Sequence, residues 1–249
     1  MKRQIELFLT AVMFYTRIPV PRSLEFSNER LNRSTRYLTL VGWLTGGIGA
    51  VVFYGLQFLF SAELAVFLSM MATILVTGAF HEDGFADFCD GFGGGYTREK
   101  ILGIMKDSRI GTYGAIGLVG MLGTKFLALQ ALPPALIPLI LIAAHAFSRL
   151  MPVIIIFTSR YSREDELSKT KPVGKRGKHS DLIIAVVLAV LPTTFLPWQL
   201  MAVVVPLALA VTWSFKKYTE HKLGGYTGDC LGALQQITEV LFYLCLLAL

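Results

Sequence analysis

The run His81-Glu82-Asp83-Gly84-Phe85-Ala86-Asp87-Phe88-Cys89-Asp90-Gly91 gathers acids where a long apolar stretch ends. Asp83, Asp87 and Asp90 stand at i, i+4 and i+7, so on a helix turning about 100° per residue they fall within an arc of about 60°. Like charges on one stripe repel unless a cation holds them. Carboxylates without neighbouring thiolates or paired imidazoles suit magnesium or manganese, and magnesium takes a few carboxylates, water and substrate phosphate. Zinc through His81 and Cys89 would lack two further soft ligands. The plainer alternative is a solvated acidic helix face, with Lys100, Lys106 and Arg109 as ion partners. Gly84 and Gly91 each cost a helix interior about 0.5–1 kcal/mol relative to Ala, so close approach of a backbone or a ligand is expected there.

A second cluster, Lys106-Asp107-Ser108-Arg109-Ile110-Gly111-Thr112-Tyr113-Gly114, stands directly before another apolar run. Asp, Ser and Gly are ordinary helix-start residues. Lys106 and Arg109 flanking an acid also suit a polyphosphate, whose transferring and leaving oxygens gather negative charge. The third cluster, Gly224-Gly225-Tyr226-Thr227-Gly228-Asp229, precedes the last apolar run. Such a turn offers backbone N–H groups and the positive helix end to an anion, although Gly often serves the turn alone.

Inside the apolar runs lie Lys125, His145, Arg149 and Glu239. Charges in spans tend to face a cavity, so Lys125 and Arg149 are expected to line a polar crevice for an anionic substrate. His145 reads as a satisfied interior histidine. Arg149 and Glu239 lie about 12 Å from the inner ends of their runs, a shared depth at which they could pair.

These residues are carried by a chain of 249 residues that is 54% apolar and 16% charged, with a mean hydropathy of +0.58. That composition indicates a polytopic membrane protein. Nearly uncharged runs cover 38–60, 64–80, 112–132, 135–157 and 231–249, each close to the roughly 20 residues that cross a hydrocarbon core. The stretch 182–215 is longer and carries Pro192, Pro197 and Pro206, which suggests two short spans hinged near Pro197-Trp198. Of 23 Lys and Arg residues, 21 fall in 1–37, 81–111, 158–180 and 216–230. Seven spans put all four segments on the cytoplasmic side, with the N-terminus inside and the C-terminus outside.

The expected fold class is therefore all-α. It is a polytopic integral membrane helical bundle of about seven transmembrane helices plus an N-terminal interfacial helix, ended at Ile18-Pro19-Val20-Pro21. It forms one domain over 1–249, with cytoplasmic loops 81–111, 158–180 and 216–230. The net charge of +6 fits loops facing an anionic leaflet and calls for no nucleic acid. The run Lys169–His179 lacks interleaved aromatics and reads as a solvated loop. Its Gly177-Lys178 misses a P-loop, with His179 for Ser/Thr and Pro172 for the first Gly. Cys89, Cys230 and Cys245 have no framework spacing and are expected as reduced thiols. There is no internal repeat, and a homo-oligomer remains open.

The order His81-x-Asp83-Gly84-x-Ala86-Asp87-x-x-Asp90-Gly91, Met105-x-Asp107-Ser108-Arg109-x-Gly111 and Gly224-Gly225-x-Thr227-Gly228-Asp229-x-x-Gly232-Ala233 resembles the cobalamin synthase family, the adenosylcobinamide-GDP ribazoletransferases. Phe14-x-Thr16-Arg17-x-Pro19-Val20-Pro21, Lys125 and Ser148-Arg149 extend the resemblance over nearly the whole chain. It implies an inner-membrane enzyme with its active site facing the cytoplasm. Its substrates would be adenosylcobinamide-GDP and alpha-ribazole or alpha-ribazole phosphate, with GMP released and Mg2+ required. On that reading Asp83, Asp87, Asp90 and Asp107 hold magnesium, and Lys106 and Arg109 steady the leaving phosphate. His81, an aspartate of the cluster such as Asp83, or Asp229 takes the hydroxyl proton. Gly225, Thr227 and Gly228 grip a phosphate or ribose. Gln236 stands where the family usually has a first Glu, while Glu239 keeps the second. Asp87-x-x-Asp90-Gly91 also resembles the core of CDP-alcohol phosphotransferases, without their later spacing. A cation-coupled transporter is the non-enzymatic alternative, unsupported by any inverted repeat.

Overall fold

The computed structural model describes residues 2–162 and 178–249. Most of the loop expected over 158–180, with all of Lys169–His179 but its last two residues, lies outside the described residues. The described chain is helical throughout; its one β-bridge joins Tyr161 to Tyr226. The helices are α1 (Lys2–Tyr15), α2 (Asn28–Ser34), α3 (Leu38–Leu56), α4 (Ala62–Thr77), α5 (Phe80–Gly94) and α6 (Arg98–Ile104). They continue as α7 (Thr112–Gln130), α8 (Ile137–Ser148), α9 (Leu150–Thr158), α10 (His179–Val190), α11 (Trp198–Leu223) and α12 (Gly228–Leu247).

This is the expected all-α polytopic bundle, and α1 occupies the place of the N-terminal helix. By length and composition five segments can cross a membrane: Asn28–Leu56, Thr112–Gln130, Pro134–Thr158, Trp198–Leu223 and Gly228–Leu247. The pair α4 and α5, bent by 87°, makes a sixth if counted as one span. Seven would also need His179–Phe195, where α10 supplies 12 residues and a 3-10 turn five more, short of a full crossing. The hinge at Pro197-Trp198 is present: Leu196 is extended and α11 starts afresh at Trp198. Pro206 is accommodated inside α11, which runs on to Leu223, so much of the 216–230 segment is helix and not loop. The 81–111 segment likewise holds α5 and α6. None of the three cysteines forms a disulfide.

Helix association in a bilayer lacks a hydrophobic drive, so small residues that let backbones touch decide the packing. The closest pair is α3 with α8. A methyl group on Gly42 would lie 2.3 Å from the His145 carbonyl oxygen, and one on Gly46 would lie 2.5 Å from that of Leu141. The span Pro134–Thr158 is accordingly the central one, 83% buried, whereas Thr112–Gln130 and Trp198–Leu223 are 28% and 22% buried and turn broad faces outward. At the α5–α12 crossing, a methyl on Gly84 would lie 3.1 Å from Asp229 Cα, and one on Gly232 would lie 3.2 Å from the His81 carbonyl oxygen. The expected close approach at Gly84 is thus made by a backbone.

Gly46→Val should lower the melting temperature of the detergent-solubilised protein, an overpacking cost of about 1–3 kcal/mol. Gly47→Val is the control, because no atom lies within 4 Å of a Cβ there. Equal melting temperatures for the two variants would contradict the α3–α8 contact.

Candidate active site

Helix α5 carries the acidic stripe in the form its spacing implies, but its three members differ in setting. Asp83 is exposed, Asp87 half-buried and Asp90 buried. Asp90 Oδ2 accepts the Gly111 N–H at 2.7 Å and Oδ1 accepts the Gly114 N–H at 2.8 Å. It therefore satisfies donors left open at the start of α7 and sits at that helix's positive end. A Cβ at Gly111 or Gly114 would lie 2.4 Å from an Asp90 carboxylate oxygen, which explains both glycines. So Asp90, expected as a metal ligand, ties α5 to α7.

Asp107, the fourth expected ligand, is engaged by Arg109. Its Oδ2 accepts from Nη2 at 2.7 Å, and its Oδ1 accepts from Nε and from the backbone N–H, both at 3.1 Å. The Arg109 hydrogen bonds hold the Asp107 carboxyl down at about 2. Both side chains, and Lys106 beside them, are exposed on the connector between α6 and α7. Among the described residues, no group of three or more His, Cys, Asp or Glu side chains converges closely enough to hold a metal ion.

The turn before α12 is built by its neighbours. Gly224 ends α11 with φ +72°. Gly225 is pressed on Arg160, whose carbonyl oxygen would lie 2.1 Å from an added methyl. Tyr226 N–H donates to Arg160 O at 2.9 Å, and Ser162 N–H donates to Tyr226 O at 2.8 Å. Arg98, at the start of α6, completes the clasp by donating from Nε to Leu223 O at 2.9 Å and from Nη2 to Ser162 O at 2.7 Å. Thr227 caps α12 by accepting the Cys230 N–H at 3.3 Å, and its hydroxyl donates to Asp229 Oδ2 at 3.3 Å. Gly228 is exposed and Asp229 half-buried, its Cα against Gly84. His81 is 4% exposed and lines a cavity of about 60 Å³ with Phe14, Tyr15, Phe80, Tyr161 and Gly228.

Beneath lies a buried network that sequence reasoning saw only in part. Lys125 Nζ donates to Gln236 Oε1 at 2.7 Å and pairs with Glu239 Oε1 at 2.8 Å. Gln236 Nε2 donates to Glu82 Oε1 at 2.9 Å. Gln235 Nε2 reaches Glu239 Oε2 at 2.6 Å and Ser148 Oγ at 3.0 Å, and the Tyr243 hydroxyl donates to Glu239 Oε1 at 3.1 Å. Arg149 Nη1 donates to His145 O at 2.9 Å and lies 3.0 Å from His145 Nδ1, itself 3.5 Å from Glu239 Oε2. Lys125 and Arg149 are 5% and 1% exposed, so both are enclosed by protein where a substrate-lined crevice was expected. Depth alone suggested Arg149 for Glu239; Lys125 is the cation paired with it at 2.8 Å. Glu82, Gln235 and Tyr243 were missed, and the only signal for Glu82 was its place beside the stripe, about 100° round the helix from Asp83.

The family described as cobalamin-5-phosphate synthase matches residues 7–247, which include all of these side chains. The chain belongs to the cobalamin-5-phosphate synthase family. It is 44% identical over 250 residues to the adenosylcobinamide-GDP ribazoletransferase of Vibrio cholerae serotype O1, covering 100% of this chain and 95% of the relative. The enzymes of the same name from Shewanella amazonensis and Vibrio parahaemolyticus are 46% and 42% identical, each over 100% of this chain and 97% and 94% of the relative. No solved structure matches it. The chain is thus a membrane-embedded transferase of cobalamin biosynthesis. The likeness to CDP-alcohol phosphotransferases is one of acid spacing alone, and the transporter alternative falls away.

Two outcomes follow for this family member. Lys125→Met leaves Glu239 without its cation and should destabilise the fold by about 3–5 kcal/mol. Lys125→Met combined with Glu239→Gln should recover much of that loss, read as melting temperature in detergent; a double variant no better than the single would break the pairing. For Asp107 the folded pKa lies below the ordinary value, so its pair with Arg109 persists above the usual aspartate range and is lost only as pH falls through about 2. Asp107→Asn should therefore leave the acid limb of the kcat profile where it stands, and a displaced limb would contradict this assignment.

Proposed function

We propose that the chain joins adenosylcobinamide-GDP to alpha-ribazole or alpha-ribazole phosphate, giving adenosylcobalamin or its phosphate and GMP, with Mg2+ as cofactor. The observation that carries this reading is the α5–α12 contact at Gly84 and Asp229, which sets the acidic stripe beside the Thr227-Gly228-Asp229 helix start. The names of the three relatives supply the substrates.

A ribose hydroxyl of the acceptor attacks the corrinoid-side phosphorus. The new phosphorus–oxygen bond forms as the bond to the bridging oxygen breaks, and that oxygen leaves on GMP. The hydroxyl proton passes to a base of the chain. His81, beside Gly228 in the small cavity, and Asp229, beside Gly84, are the candidates, with exposed Asp83 the third.

The donor set fits magnesium in a restricted way. Among the described residues no protein cage is formed, and magnesium is commonly bound through one or two carboxylates together with substrate phosphates. Asp83 and Asp87, one turn apart, would hold it; Asp90 fixes the start of α7, and Asp107 orients Arg109. When bound, the ion neutralises charge that builds on the diphosphate as its bond breaks. Lys106 and Arg109 steady the leaving phosphate from the exposed connector, and the Gly225–Asp229 turn directs the α12 N-terminus at an anion. Lys125 and Arg149 support the site from beneath, through α7, α8 and α12, without touching substrate. The basic residues of the connectors support a reaction on the cytoplasmic side of the membrane, which for this proposal is the inner membrane.

Asp83→Asn and Asp87→Asn should each cut GMP release by about a hundredfold or more while membrane insertion is retained. Chelation of magnesium should stop turnover of the unaltered protein. Full activity of both variants would remove the stripe from the chemistry, and activity in excess chelator would remove the metal.

A further inference from the structure

Arg17, from the Phe14–Pro21 motif, takes no part in the reaction as derived above. We propose that it binds the phosphate of the acceptor, alpha-ribazole phosphate, at the edge of the active site; this rests on the proposed reaction. Past α1 the chain turns on Thr16, whose hydroxyl donates to Val12 O at 2.7 Å and accepts the Ile18 N–H at 3.1 Å. Arg17 N–H donates to Val76 O at 2.7 Å, pinning its backbone to the last turn of α4. Its side chain then lies across Gly78. A methyl there would sit 2.3 Å from Nε, 3.0 Å from Cγ and 3.1 Å from Cδ, so the stem fills the space a side chain at Gly78 would take. Gly78 also has φ +64°, so two separate requirements select glycine.

The stem of Arg17 thus lies over the α4–α5 bend, just before the helix that carries His81 and Asp83. The side chain is exposed, and among the described residues the guanidinium has neither a hydrogen bond nor an ion pair, unlike those of Arg98 and Arg109. A planar fork with its donors open matches phosphate oxygens bidentately. Phe14 and Tyr15, which precede it, and Phe80, two residues beyond Gly78, all line the cavity shared by His81 and Gly228.

A phosphate on either substrate has the required chemistry, but the two differ in what happens to them. The diphosphate of the donor is cleaved and already faces Lys106, Arg109 and the stripe. The acceptor's phosphate is kept in the product, so it needs a cation away from the reacting phosphorus. Arg17 lies against Gly78 at the corner before α5, whereas Lys106 and Arg109 stand on the connector between α6 and α7, so the two cationic groups sit on different elements.

The test measures KM for alpha-ribazole phosphate, alpha-ribazole and adenosylcobinamide-GDP in Arg17→Ala and Arg17→Lys, and calorimetric binding of alpha-ribazole phosphate alone. Arg17→Ala should raise KM for alpha-ribazole phosphate relative to alpha-ribazole by about tenfold or more and weaken its binding to match. Arg17→Lys keeps charge and stem but loses the fork, and should fall between; it also supplies the ratio if the alanine variant does not fold. An unchanged acceptor ratio overturns the proposal and leaves the guanidinium to lipid headgroups. A raised KM for adenosylcobinamide-GDP with either acceptor overturns it in favour of the diphosphate. If the unaltered protein released no GMP from these substrates, the proposed reaction itself would fall, a result distinct from either.

Discussion

The contact on which the site depends is the one between two glycines and two backbones where α5 crosses α12. Gly84 meets Asp229, and Gly232 meets the His81 carbonyl. Any side chain at Gly84 would push the N-terminus of α12 away from the stripe. At contact distance the first turn of α12 lies against α5 at Gly84, so a positive helix end is packed on the helix that carries the acids. Asp90 does the same with α7, through Gly111 and Gly114. Two helix starts therefore converge on one acidic helix.

The network below fixes the register of that crossing. In hydrocarbon a charge without a partner is costly, so Lys125 and Glu239 constrain α7 against α12, and Gln236 with Glu82 constrains α12 against α5. Gln236 can do this because its amide faces both ways, donating to Glu82 and accepting from Lys125. An ionised Glu at 236 would present like charge to Glu82. The departure from the family's usual residue thus has a local counterpart in what the side chain does here, linking an acid to a base without adding charge.

Periodicity and composition were enough to read the helices, the stripe of Asp83, Asp87 and Asp90, the hinge at Pro197 and the need for close contact at Gly84. What they could not supply is partnership. The 100° step tells where a side chain points on its own helix but not what stands opposite. The Asp90 bonds span 21 and 24 residues, and that between Lys125 and Gln236 spans 111. Depth placed Arg149 and Glu239 in one layer correctly but could not rank Lys125 against Arg149. The count of spans failed for a different reason, since hydropathy registers apolar content but not where a helix stops. The stops at Gly78 and within Leu191–Phe195 are conformational.

The stop at Gly78 shows why the acids can be both wet and packed. Were α4 to continue straight, the ten residues from His81 to Asp90 would climb about 15 Å out of the bundle, leaving the carboxylates in bulk water with nothing beside them. Two consecutive left-handed residues, Gly78 at φ +64° and Ala79 at φ +57°, turn the chain by 87° and lay α5 across α12 and α7. Ala79 bears the strain, roughly 1–2 kcal/mol for a residue with a Cβ. The contacts of α5 with its two neighbours offset it, including the bonds of Glu82 and Asp90 that only a folded-over helix could make. Strain is stored at the corner that aims the acids, and Arg17 lies over that same corner because glycine leaves it room.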